Sequence, residues 1–235
     1  MQSIAGRVRQ RALVVGSTAS FGGFLSLAGG AVQHHWRGVD HSTRGAMGLA
    51  RTPQLDAPMH AVSILGNPEG LIPLTLISSL LLWHSRRRWA LALPLVMVGT
   101  GGLQLLSKWA IDRPRPNLAA WGFPSGHVLS LVVFFGLVAY LLLTSQLGRT
   151  WRWVGSGISF GVLLAVAFSR LYLDVHWLSD VFGGFALGLA YLLAIIWLVE
   201  LARHRRQGQG LSVTTGRPAT AERSLSRRVR ISSLT

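Results

Sequence analysis

Cysteine is absent from this chain of 235 residues, which removes disulfides, thiolate metal sites and cysteine nucleophiles at once. Charge is scarce as well: 13% of residues are charged, against about 25% in a typical soluble domain. Half of the residues are hydrophobic and the mean hydropathy is positive. Together these disfavour a soluble domain and point to a membrane protein. Lysine is almost missing too, with Lys108 standing alone against 22 arginines. A chain that takes every other positive side chain as arginine has no evident surface reason for that one lysine.

What is present is a series of apolar runs. Six are long enough to cross a bilayer, which takes roughly 17–25 residues: 12–32, 69–84, 89–110, 127–146, 153–173 and 177–201. The second is the weakest, because its apolar core is short and contains Pro73; a five-helix arrangement with a re-entrant second segment is the alternative. The first follows Arg7, Arg9 and Arg11 like a signal peptide, but it exceeds the usual apolar region of roughly 7–15 residues. With five further runs behind it, an uncleaved anchor is expected.

In the outside loop 33–68, apolar residues at 55, 59, 62 and 65 are close to helical spacing. They predict a short amphipathic surface helix over Pro53–Leu65, and Gly66-Asn67-Pro68 then turns the chain into the second span. The expected fold is all-α: a six-transmembrane-helix bundle with that surface helix in its first outside loop. A basic N-terminus (1–11) precedes the membrane domain (12–202). A tail rich in Gly, Ser, Thr and Arg (203–235) follows, with a composition that predicts disorder.

The net charge of +15 is distributed unevenly. With the N-terminus in the cytoplasm, segments 1–11, 85–88, 147–152 and 202–235 face inward and carry 16 of the 23 basic residues. The positive-inside rule then places both termini in the cytoplasm. Most tryptophans, Trp36, Trp83, Trp109, Trp121 and Trp151 among them, fall near span ends, as interfacial aromatics do. Because the basic residues flank spans, nucleic acid is not expected as a partner.

Three motifs break the apolar pattern: Lys108-x6-Arg115-Pro116, Pro124-Ser125-Gly126-His127, and Ser169-Arg170-x5-His176-x3-Asp180. In the six-span topology, span three ends at Lys108, span four begins at His127, span five ends at Arg170 and span six begins at His176. All four ends lie on one face, with no functional assumption made. Ionisable groups at membrane depth are costly and are functional candidates. Lys108, Arg115 and Arg170 can surround phosphate oxygens, two per guanidinium. Ser125 and Gly126 precede a helix, whose N-terminal N–H groups face an anion, and His127 at the mouth is suited to protonate a leaving alkoxide. His176 and Asp180 share a helix face, so the carboxylate can fix one ring nitrogen and leave the other free to attack phosphorus.

The three motifs resemble those of the type 2 phosphatidic acid phosphatase family, which shares its site with vanadium haloperoxidases. The likeness spans about 53–200 and matches every defining position. It implies that His176 is the nucleophile, forming a phosphohistidine, that Asp180 supports it, and that His127 is the general acid. It also implies that Lys108, Arg115, Ser125, Gly126 and Arg170 bind the phosphate, with no metal and no cofactor. One departure is the loop between Pro116 and Pro124, only seven residues long and shorter than in many members.

The expected function is therefore an integral membrane hydrolase of a lipid phosphate or pyrophosphate at the outer face of a bacterial-type inner membrane. Undecaprenyl pyrophosphate, phosphatidylglycerol phosphate, phosphatidate and diacylglycerol pyrophosphate are candidates that the motifs do not separate. The oligomeric state is not readable. A lipid phosphotransferase, or a non-enzymatic lipid-phosphate binder or transporter, would use much of the same site. Outside the motif positions, Asp112 and Arg113 are expected to pair with each other or with a neighbouring loop, and Asp174 to bridge a motif arginine. Gly184-x3-Gly188 is expected to be an intramolecular helix seam.

Overall fold

The computed structural model describes residues 4–215, with side chains over 6–202. Among the described residues there are eight helices and no strand: α1 (Ile4–Val32), α2 (Arg37–Ala50), α3 (Pro53–Ile64), α4 (Pro68–Leu82), α5 (Arg87–Ile111), α6 (Gly126–Leu143), α7 (Arg149–Tyr172) and α8 (Leu178–Thr215). Five segments are long and apolar enough to span a bilayer alone: Gly6–Val32, Arg87–Ile111, Gly126–Leu143, Arg149–Tyr172 and Leu178–Ala202. They coincide with five of the six expected spans. The sixth differs. Helix α4 has 15 residues, about 22 Å at 1.5 Å per residue, which is short of a hydrocarbon layer about 30 Å thick. Joined to α3 it passes the same test, as a pair bent by 47°. Pro68 makes the break: it lacks the N–H needed to continue α3 and instead opens α4.

Helix α2 lies where the sequence suggested only loop. Its polar and apolar residues fall on separate faces and its net hydropathy is low, so no apolar run announces it. The junction between α2 and α3 is tied to the end of α7. Arg51 donates through Nε and Nη2 to the Tyr172 carbonyl at 3.0 and 2.5 Å, and the Thr52 N–H reaches the Tyr172 hydroxyl at 2.8 Å. These bonds hold α2 and α3 over one end of the bundle.

Helix α6 is the most enclosed span, packed on α5, α7 and α8, and its Val128, Leu129, Leu131, Val133 and Leu137 are completely buried. Helix α8 approaches it closely because two positions lack side chains. A Cβ on Gly184 would lie 2.6 Å from the Ser125 carbonyl oxygen, and one on Gly188 would lie 2.9 Å from that of Leu129. The Gly-x3-Gly pair is an intramolecular seam. Around the perimeter, large apolar side chains such as Leu76, Leu80, Leu95 and Val98 are exposed. In water such a surface would drive aggregation; against acyl chains it is matched. Helix α8 continues to Thr215 beyond its apolar stretch, and residues 216–235 of the basic tail lie outside the described residues.

Candidate active site

Helix ends bring the three motifs to one end of the bundle. Lys108 lies in the last turn of α5, Ser125 is the N-cap of α6, Arg170 lies in the last turn of α7, and Asp180 in the first turn of α8. His176 occupies the turn between α7 and α8, and Arg115 the loop between α5 and α6. Lys108, Arg115 and Arg170 are within electrostatic reach of one another and of His127, and the two arginines also of His176. All eight expected positions thus converge.

The cations form a cradle whose hydrogen bonds are incomplete within the chain. Arg115 Nε, Arg170 Nε and Ser125 Oγ are buried and have no partner, three of five such atoms among the described side chains. Each buried unpaired polar group costs about 1–3 kcal/mol, so their concentration here marks donors arranged for an anion from outside. The first N–H groups of α6 face the same way, as helix N-termini do. The Gln104 side-chain amide lies against Gly126, where a Cβ would displace it. Arg170 is held from behind by Ser63 of α3, whose hydroxyl accepts from its Nη1.

His176 is 3% exposed and Asp180 is fully buried. The Asp180 Oδ2 accepts the Trp177 N–H at 2.9 Å and stands 3.4 Å from His176 Nδ1. Its Oδ1 receives Arg113 Nη1 at 2.9 Å, and Arg113 Nη2 donates to Asp40 Oδ2 at 2.6 Å. Asp40, from α2, also accepts the Ser179 N–H and hydroxyl at 2.9 and 2.7 Å. The result is a buried chain, Asp40–Arg113–Asp180–His176, in which every carboxylate oxygen has a partner. Burial pushes the His176 imidazole down to about 4, against the upward pull of Asp180. It is therefore neutral at neutral pH, with Nε2 left free.

His127 is held at the other side of the cradle, its Nε2 lying 2.5 Å from Asn67 Oδ1. From His127 an apolar groove of about 400 Å³ runs between α4, α5 and α6, lined by Leu71, Ile72, Leu76, Pro94, Met97 and Val98. A second cavity of about 340 Å³ is lined by Arg37, Asp40, Arg113, Arg115 and Trp177.

Two pairings differ from the sequence-based expectation. Arg113 bonds neither Asp112 nor a nearby loop; it reaches Asp40 and Asp180. Asp174 binds Arg44 of α2 through two 2.8 Å bonds, not a motif arginine. Asp40, Ser63 and Asn67 were not anticipated at all. One available signal was Asp40 itself, a rare acid in a chain with eight.

Comparison with known proteins gives the family and the fold. Residues 89–204 match the PAP2 superfamily. Phosphatidylglycerophosphatase B of Bacillus subtilis is 30% identical over 196 residues, 78% of this chain and 95% of that one. The undecaprenyl-diphosphatase of Sulfolobus acidocaldarius is 33% identical over 146 residues, 57% of this chain and 66% of the relative. Among solved structures, that of a transmembrane PAP2 type phosphatidylglycerolphosphate phosphatase from Bacillus subtilis superposes with a TM-score of 0.73 at 28% identity. That superposition covers 79% of this chain and 96% of the other. With its motif residues converged on one end of a membrane bundle, the chain belongs to the PAP2 superfamily and is an integral membrane phosphatase.

Proposed function

We propose that the chain hydrolyses a lipid monophosphate or diphosphate through a phosphohistidine, at the outer face of the membrane. The observation that carries this is the junction of the cradle with the apolar groove. Unpaired cationic donors suit a phosphate, and at their edge a groove of about 400 Å³ suits an acyl or prenyl chain approaching from the bilayer. Relatives named for a phosphatidylglycerophosphate and for an undecaprenyl diphosphate fit either class of ester.

In the first step the lone pair of His176 Nε2 forms a bond to phosphorus and the bond to the bridging oxygen breaks. That oxygen keeps the electron pair and takes a proton from His127, giving the lipid alcohol, or the lipid monophosphate from a diphosphate. Lys108, Arg115, Arg170, Ser125 and the N–H groups at Gly126 hold the equatorial oxygens, and positioning with electrostatics dominates such transfers. In the second step water attacks phosphorus, His127 takes its proton, and the N–P electron pair returns to His176 as phosphate leaves. Lys108, Arg115 and Arg170 supply positive charge around the phosphate, and the proposed reaction is metal-independent. The outward orientation is supported by Arg86–Arg88, Arg149 and Arg152, at the start of α5 and α7 and hence at the opposite end from the site.

The test is phosphate release by purified protein from lipid phosphates of increasing chain length, with EDTA present. The expected result is a KM that falls as the chain lengthens, and a Gly101→Phe variant that raises KM for long chains only. Loss of all activity under chelation, or equal kinetics on long and short chains, would contradict the proposal.

A further inference from the structure

Asn67 is the N-cap of α4, and asparagine at that position ordinarily bonds the second or third N–H of its own helix. Here its side chain makes no such bond. It is turned instead to His127 Nε2, at 2.5 Å. The preceding residue permits the approach: a Cβ on Gly66 would lie 2.6 Å from His127 Cδ2 and 2.9 Å from its Cβ. The break between α3 and α4 thus presses its backbone onto one face of the ring and its amide onto one nitrogen.

We propose that Asn67 is a positioning residue for the general acid, its side-chain carbonyl holding His127 Nε2–H so that Nδ1 is the nitrogen that exchanges protons with substrate. This rests on the role assigned to His127 above. Charged and titratable groups face that ring from each neighbouring element: Lys108 from α5, Arg115 from the following loop, Arg170 from α7 and His176 from the turn before α8. A carboxylate at position 67 would therefore add a negative charge to a cradle built for an anion, whereas an amide carbonyl fixes the tautomer and adds none. When the bridging P–O bond breaks, the imidazolium gives its Nδ1 proton to the departing oxygen and retains the Nε2 proton on Asn67. When water later attacks, neutral Nδ1 accepts the proton back. His176 is arranged in the complementary sense, with Nδ1 held by Asp180 and Nε2 free. The carrier of Asn67 is also a wall of the groove, since Gly66, Pro68, Leu71 and Ile72 line it. The turn that seats the lipid chain is the turn that orients the proton donor.

The experiment compares kcat/KM for a short-chain alkyl phosphate, whose leaving oxygen needs a proton, with p-nitrophenyl phosphate, whose leaving oxygen does not. General acid catalysis supplies roughly 10²–10⁴, and misplacing the donor removes part of that. Asn67→Leu should lower kcat/KM on the alkyl ester about 10- to 100-fold and change the nitrophenyl ester less than about threefold, which also reports that the variant is folded. Asn67→Asp, which can only accept, should recover most of the difference between the two esters. Equal losses on both esters in Asn67→Leu, or no loss on either, would overturn the assignment. So would an Asp variant that discriminates between the two esters as strongly as Leu. His127→Ala is measured alongside. If its loss is ester-dependent while that of Asn67→Leu is not, the role of Asn67 alone fails. If His127→Ala loses both esters equally, His127 is not the acid and the underlying proposal fails with it.

Discussion

Arg113→Met removes the cation that stands between two buried carboxylates while keeping much of the side-chain volume. Arg113 is 9% exposed, Asp40 2% and Asp180 0%, so solvent screens none of the three effectively. Three hydrogen bonds are lost: Nη2 to Asp40 at 2.6 Å, and Nη1 to Asp180 at 2.9 Å and to Ser179 at 2.6 Å. Removing one partner of a buried ion pair costs about 3–5 kcal/mol, and here two carboxylates lose their counter-charge together. The expected loss of unfolding free energy in detergent micelles is therefore about 3–5 kcal/mol. Asp40→Asn in the same background removes one of the stranded charges, so the double variant should be more stable than the two single effects summed. A coupling of about 1–3 kcal/mol in the double-mutant cycle is expected for side chains in one network. Both variants should also lower kcat, because Asp180 loses the bond that fixes its free oxygen while His176 depends on the other. A loss below about 1 kcal/mol, or strict additivity, would refute the idea that Arg113 is the centre of a buried charge network.

Three further outcomes follow from the same geometry. His176 is pushed down to about 4 by burial, so nitrogen NMR of the free enzyme should find its ring neutral as pH falls through 6, with the proton bound only near 4; a midpoint at about 6.5, the ordinary value, would contradict its burial. Gly184→Val forces α8 away from α6 and should destabilise the protein by about 1–3 kcal/mol or more, while Gly157→Ala, whose Cβ would meet nothing within 4 Å, should leave thermal unfolding unchanged or slightly raised. Lys108→Arg keeps the charge but not the compact ammonium, and in a site where Lys108 is 7% exposed it should lower kcat/KM by about tenfold, or about 1.4 kcal/mol, as measured on any substrate that the wild type turns over.

The eight motif positions were legible because their chemistry contradicts their surroundings: a cation or histidine at the end of an apolar run has few structural reasons to be there. Topology could be read for a related reason, since long apolar runs alternate the face on which each end emerges. Asp40, Ser63 and Asn67 had no such contrast. They come from the segment between the first two expected spans, where an aspartate, a serine or an asparagine resembles any solvated residue, and only tertiary folding buries Asp40 against Arg113, brings Ser63 to Arg170 and turns Asn67 to His127. Helix α2 was illegible because it is two-faced rather than apolar, and α4, the weakest of the expected spans, has 15 residues and is long enough to cross only when joined to α3. Arg113 was read locally, beside Asp112, whereas its partners lie 73 and 67 residues away.

The central claim is that His176 takes the phosphoryl group. Brief reaction with a phosphorus-labelled lipid phosphate, followed by denaturing quench, tests it directly. The expected result is label on the protein at His176, stable in alkali and lost in acid, and absent from His176→Ala, which should not turn over. Label on any other residue, or hydrolysis by His176→Ala at the wild-type rate, would contradict the mechanism.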